Sequence, residues 1–263
     1  MRTVRAYVVT VLTLLGLLIG SFLNVVIARV PEGRSVVRPP SACPRCGTTL
    51  AWYDNVPLFS WVVLRGRCRT CAAPISARYP LVELLTAVLF LIATLAVGLH
   101  AELPAVLAFV AAGVALSVID IEHLRLPTPI VFTALVLVVG ALVVAAIVTK
   151  RPSALVTVVG GAVAASAFLF AIAFLSPKAM GMGDVRLATV LGALLGWYGM
   201  GRVALGMLLG FVVGSVVGIA LSIVRRRLRG VKMPFGPSLI VGTFIAVAWG
   251  RPIVDWYTRQ FRR

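Results

Sequence analysis

Eight long apolar segments, at roughly 6–28, 81–99, 103–120, 129–149, 153–176, 185–200, 203–224 and 236–250, constrain this chain more than any other feature. A helix needs about 20 apolar residues to cross about 30 Å of hydrocarbon, and most of these segments have that length. With 60% apolar and only 13% charged residues among 263, the chain carries more hydrophobic surface than a soluble domain of its size could hide. The expected fold is an all-α polytopic membrane protein with about eight transmembrane helices, embedded in a lipid bilayer.

The first segment follows Met1-Arg2-Thr3-Val4-Arg5 and has the outline of a secretory signal. Its apolar run is too long for one, however, and reaches Gly20-Ser21-Phe22-Leu23-Asn24 without a clear small-x-small cleavage site. It is expected to remain as an anchor.

A formal charge of +17 could point to nucleic acid, yet the basic residues are spread among the loops between apolar segments, so no nucleic-acid partner is expected. They serve better as topology signals. Placing the loop 29–80 in the cytoplasm puts 16 of the 25 Lys and Arg inside: eight in that loop, Arg125, Lys178, Arg186, and five within 225–232. This is the sense the positive-inside rule prefers, although Arg2 and Arg5 count against it because both termini then lie outside.

That one sizeable polar insertion, 29–80, is too long for a simple connector and is expected to be a small domain. The chain then divides into a first span (1–28), a cytoplasmic domain (29–80) and a membrane domain (81–263). The insertion holds two Cys-x-x-Cys pairs, Cys43-Pro44-Arg45-Cys46 and Cys68-Arg69-Thr70-Cys71, separated by 21 residues. Such spacing suits a zinc ribbon, in which each pair forms one knuckle of a tetrahedral site. Two disulfides are the competing possibility, but disulfides rarely persist in a reducing cytoplasm. Four thiolate ligands leave no open position, so a Zn2+ held by Cys43, Cys46, Cys68 and Cys71 is expected to be structural.

Two aspartates stand where apolar segments meet polar loops, in a chain with only eight acidic side chains. Asp120 begins Asp120-Ile121-Glu122-His123-Leu124-Arg125-Leu126-Pro127; Asp184 lies in Gly181-Met182-Gly183-Asp184. Two segments separate the insertion from Asp120 and two more separate Asp120 from Asp184, so all three are expected on one membrane face. Carboxylates at membrane depth are costly and usually functional. The competing possibility is structural: pairing with Arg125 and Arg186, or capping of the following helix. Brought together, the two would form an acid/base dyad, one ionised and activating water, the other protonated and polarising a scissile carbonyl.

Other candidates are weaker. Glu122 could replace Asp120 in the dyad, and Glu83 could pair with an arginine or a cationic substrate group, though structural roles are favoured for both. His100 and His123 show no ligand spacing. Gly206, Gly210, Gly214 and Gly218, like Gly192 and Gly196, recur every four residues and suit close helix packing. No Gly-x-Ser-x-Gly, His-Glu-x-x-His or phosphate loop is present.

Taken in order, these residues resemble the type IV prepilin peptidases, the bacterial leader peptidases of the Gly-x-Gly-Asp aspartic class. The resemblance runs along nearly the whole chain. It comprises Gly20 to Val25 with Arg29-Val30-Pro31, the cysteine pairs bracketing Asn55-Val56-Pro57 and Leu64 to Cys68, and Arg78-Tyr79-Pro80-Leu81-Val82-Glu83. The Asp120 segment, Gly181 to Leu187 and Pro234-Phe235-Gly236-Pro237 complete it.

The resemblance implies an endopeptidase of the bacterial inner (cytoplasmic) membrane that removes the short basic leader from prepilins or pseudopilins on the cytoplasmic side, with Asp120 and Asp184 at the catalytic positions. Many members also methylate the new N-terminus using S-adenosylmethionine, an activity associated with the N-terminal cytoplasmic region. Thr128, where many relatives carry Asp or Asn, and Arg186, where many carry Lys, depart from the pattern without removing a catalytic carboxylate. Two other functions stay open: an ion- or proton-coupled transporter using Asp120 and Asp184, and a membrane methyltransferase built on the zinc domain.

Overall fold

The computed structural model describes residues 2–176, 180–224 and 233–260. Lys178 and the basic stretch 225–232, counted above as cytoplasmic charge, lie outside the described residues. The chain divides into two compact units, Met1–Leu95 and Ala96–Arg263.

In the first unit, α1 (Arg2–Arg29) is a long apolar helix that ends at a 3-10 turn, Val30–Glu32, where Gly33 reverses the chain at φ +69°. The polar insertion follows, with a second 3-10 turn at Trp52–Asn55 and the short α2 (Phe59–Val63), before α3 (Arg78–Val97) begins. Small residues let α1 and α3 touch: a Cβ on Gly16 would come within 2.9 Å of Ala87 Cα, and one on Gly20 within 2.7 Å of Glu83 Cα.

The second unit holds α4 (Leu103–His123), α5 (Thr128–Val148), α6 (Ala154–Leu175), α7 (Met182–Trp197), α8 (Met200–Val224) and α9 (Gly236–Gln260). Prolines punctuate it. Pro104 and Pro129 sit in the first turns of α4 and α5, where a missing N–H costs nothing. At the other end of α4, Leu124 adopts the left-handed conformation and returns its N–H to the Asp120 carbonyl over 2.9 Å. Leu126-Pro127 then leads directly into α5.

Seven of the described helices are long and apolar enough to span a bilayer. The segment expected at 185–200 is the exception. It is α7, shifted to Met182–Trp197, and its 16 residues reach only about 24 Å at 1.5 Å per residue. Twelve of those residues are buried, because α4, α5, α6, α8 and α9 all pack against it. A helix surrounded by helices faces no lipid and need not match the bilayer's thickness.

The glycine ladders make this possible. A Cβ on Gly192 would run into the Gly161 carbonyl, and one on Gly196 into the Thr157 carbonyl, so α6 and α7 meet backbone to backbone. On α8, Gly206 admits Leu195 of α7, while Gly210 and Gly214 admit Leu239 and Phe235, which seats α9.

Candidate active site and metal centre

Asp120 lies in the last turn of α4, and Asp184 in the first turn of α7. Two helices, α5 and α6, connect them, so both carboxylates emerge at the same end of the second unit. Both are buried, with 6% and 8% of their surface exposed. Gly183, next to Asp184, and Gly236, next to Asp120, both rest on Leu126, so the two aspartates lie at adjoining helix ends.

Each carboxylate is held by a backbone N–H at a helix start. Gly181 N–H donates to Asp184 Oδ2 over 3.2 Å while Asp184 N–H returns to the Gly181 carbonyl over 3.1 Å, a reciprocal cap of α7. Gly236, the first residue of α9, donates its N–H to Asp120 Oδ2 over 3.1 Å across 116 positions of sequence. Leu126 packs against the first turns of both α7 and α9. A Cβ on Gly183 would lie 3.1 Å from Leu126 Cβ, and one on Gly236 would lie 3.2 Å from Leu126 Cδ2.

These contacts decide between the structural options raised by the sequence. No described ion pair joins either aspartate to an arginine. Arg186 instead donates from Nη1 to Thr128 Oγ1 over 2.7 Å. Capping does occur, but Asp120 caps α9 rather than the helix that follows it. A single N–H bond per carboxylate orients the group without neutralising it.

Glu122 is exposed and stands 3.9 Å from His123 Nε2, in contrast with buried Asp120. Glu83 is buried on α3 and accepts the Leu58 N–H at Oε2 over 2.8 Å, a role invisible in the sequence because the partner lies 25 residues away in a loop. Neither histidine joins a metal-like cluster among the described residues.

The four cysteines do converge. Their sulfurs all lie within 4.8 Å of one another, and Cys43 Sγ is 3.8 Å from Cys71 Sγ. A tetrahedron with Zn–S bonds of about 2.3 Å has edges of about 3.8 Å, so the set fits a zinc ion with small adjustment. No disulfide is formed. The two knuckles repeat one another: Cys43 N–H to Thr48 O and Gly47 N–H to Cys43 O in the first, Cys68 N–H to Ala73 O and Ala72 N–H to Cys68 O in the second. Antiparallel bridges Ala42 to Thr49 and Arg67 to Pro74 close them. Gly47 and Ala72 occupy equivalent left-handed positions, at φ +71° and +55°.

Comparison with known proteins places this geometry. The bacterial peptidase A24 N-terminal domain matches residues 14–97 and the type IV leader peptidase family matches residues 106–223. A prepilin leader peptidase/N-methyltransferase of Aeromonas hydrophila is 37% identical over 280 residues, covering 94% of this chain and 93% of that protein. The chain belongs to the type IV leader peptidase family. Prepilin leader peptidase/N-methyltransferases of Myxococcus xanthus and Pseudomonas aeruginosa are 43% and 34% identical, over 79% and 93% of this chain. The match spans 61% of the Myxococcus protein, less than two thirds of its length, and 91% of the Pseudomonas one. No solved structure matches the chain. The cysteine cluster falls within the N-terminal domain match, and Asp120 and Asp184 both fall within the leader peptidase match.

Proposed function

We propose that this protein is a membrane aspartic endopeptidase that removes the short basic leader from type IV prepilins or pseudopilins at the cytoplasmic membrane face, with Asp120 and Asp184 as its catalytic residues. The observation that carries this is the pair of buried carboxylates at adjoining helix ends, each held by one backbone N–H, in a chain of the leader peptidase family. One carboxylate, ionised, takes a proton from water as it attacks the scissile carbonyl; the other, protonated, donates to the carbonyl oxygen. Gly181 and Gly236 fix where those oxygens point, and burial between helices limits the water that reaches them.

The distribution of Lys and Arg supports a cytoplasmic site in the inner membrane, where a substrate's basic leader would remain in water while its apolar stem enters the bilayer. Cys43, Cys46, Cys68 and Cys71 would hold a structural Zn2+ that ties the domain 29–80 together, its binding energy serving as folding energy. The second activity in the relatives' names, N-methylation, is proposed for the cleaved N-terminus with S-adenosylmethionine as methyl donor; no step of the cleavage depends on it. Transport through the bilayer gains nothing from this geometry, since both aspartates sit at helix ends rather than at mid-span.

The deciding experiment is cleavage of a purified prepilin by the wild type and by Asp120→Asn and Asp184→Asn, read by mass spectrometry. Leader loss that requires both aspartates is expected, and an added methyl group reads the second activity in the same spectrum. Normal processing by either variant would remove that aspartate from the mechanism.

A further inference from the structure

Residues 52–64 carry an apolar surface that the peptidase chemistry does not use. Trp52, Phe59, Val62 and Val63 are 81%, 66%, 65% and 56% exposed, and Tyr53 and Val56 are exposed beside them. Scattered apolar side chains on a surface mean little, but so many in thirteen residues form a patch that water would penalise.

The stretch also presents no unpaired charge. Its one acidic residue, Asp54, is bound by Arg69 through Nη2 at 2.7 Å and Nε at 3.1 Å, and the Asp54 side chain is 9% exposed. The Arg69 guanidinium lies 5.2 Å over the Tyr53 ring. Backbone groups are served from within. Ser60, buried on the inner side of α2, donates from Oγ to the carbonyls of Tyr53 (2.7 Å) and Val56 (2.9 Å), and Trp61 donates from Nε1 to the Ile75 carbonyl at 3.3 Å. Internal satisfaction of backbone polar groups is what an apolar medium demands.

The depth of the stretch is fixed by Glu83. Its Oε2 accepts the N–H of Leu58, where the chain turns sharply at φ +60° and ψ −49°. Glu83 lies five residues beyond the start of α3 at Arg78, about 7 Å along the helix at 1.5 Å per residue. Since α3 is a span of 20 residues, Leu58 is pinned just inside the level at which that span begins. Interfacial segments bury their apolar faces by about 5–10 Å, so the pin and the patch agree. Directly after the stretch come Arg65 and Arg67, both exposed.

We propose that residues 52–64 form an interfacial membrane element, with Phe59, Val62 and Val63 among the acyl chains, Trp52 at the headgroup boundary, and Arg65 and Arg67 on anionic lipid headgroups. The occupant of this surface is the bilayer that the protein already spans. The cysteine domain is thereby held against the membrane rather than hung from two tethers in water.

Two measurements on the full-length protein in phosphatidylglycerol-containing vesicles test this. A photoreactive benzophenone side chain placed at Phe59 or at Val62, one at a time, is expected to give lipid adducts by mass spectrometry, while one at exposed Glu32 gives none. Brominated lipids are expected to quench the part of the fluorescence that disappears in Trp52→Phe. Cross-links from positions 59 and 62 confined to protein, whether this chain or a second copy, would overturn the proposal. So would a Trp52 signal quenched by aqueous iodide and untouched by brominated lipid. Zinc content and cleavage activity, measured on each variant, show that the protein tested is folded.

Discussion

The N–H of Gly236 reaches Asp120 Oδ2 across 3.1 Å, so the start of α9 fixes the orientation of a carboxylate at the end of α4. Glycine is required there for lack of room. A Cβ on Gly236 would stand 2.9 Å from that same oxygen and 3.2 Å from Leu126 Cδ2. Gly236→Ala should therefore push the carboxylate from its position and lower kcat for prepilin cleavage at least about tenfold, or ~1.4 kcal/mol of transition-state stabilisation. Gly140→Ala, where nothing lies within 4 Å of the added methyl, should leave the rate unchanged. Equal rates for the two variants would show that the Asp120 contact does not position the reacting group.

Arg186 and Thr128, the two departures from the family pattern, prove to be partners. The 2.7 Å bond from Arg186 Nη1 to Thr128 Oγ1 ties α7 to α5 two residues from Asp184. Because the bond is exposed, its loss in Thr128→Val should cost about 1 kcal/mol or less in stability, with cleavage reduced a few-fold rather than abolished. Thr128→Asp offers the guanidinium a carboxylate and should retain cleavage near the wild-type rate. If Thr128→Asp behaves like Thr128→Val, the pair does not support the site.

How much of this was legible in the chain follows from where the information sits. Long apolar runs announce helices, and the paired cysteines carry their spacing in the sequence, so the helical fold and the cluster at Cys43, Cys46, Cys68 and Cys71 could be read directly. Asp120 and Asp184 stood out because charge is rare at membrane depth. The supports did not. The Gly236 contact with Asp120, the Arg186 contact with Thr128 and the Glu83 contact with Leu58 span 116, 58 and 25 positions, and no local period encodes them. The burial of α7 was visible only indirectly, through Gly192 and Gly196, because an apolar segment reads alike whether lipid or protein surrounds it.

That burial makes a sharp stability contrast. Gly196 and Gly192 face the carbonyls of Thr157 and Gly161, which cannot move without shifting α6. Gly196→Ala should destabilise the second unit by about 1–3 kcal/mol or prevent its accumulation, as overpacking does. Gly160→Ala, on the same α6 but with open space around the added methyl, should be neutral or slightly stabilising. Thermal unfolding of the two variants in one detergent checks this, and similar midpoints would mean that the α6 and α7 backbones are farther apart than described.

Removal of metal should expose a reactivity order among the cysteines. In the metal-free cluster, hydrogen bonding with the Thr48 side chain, 3.3 Å from Sγ, and then with its backbone, lowers the Cys46 thiol to about 6. At Cys71 the Ala73 backbone acts in the lowering direction, but desolvation and hydrogen bonding with the other thiols outweigh it and push the group up to about 11. Neutral pH lies above the first value and below the second, so Cys46 is a thiolate while Cys71 keeps its proton. After chelation at about pH 7, maleimide should therefore modify Cys46 before Cys71, whereas bound zinc should protect all four. Acidification to about pH 5 protonates most of Cys46 and should slow its labelling about tenfold, and Thr48→Val, which removes the side-chain bond and keeps the backbone one, should slow it at neutral pH. Peptide mass spectrometry across a labelling time course reads the order, and labelling that chelation leaves unchanged would show that the four cysteines hold no metal.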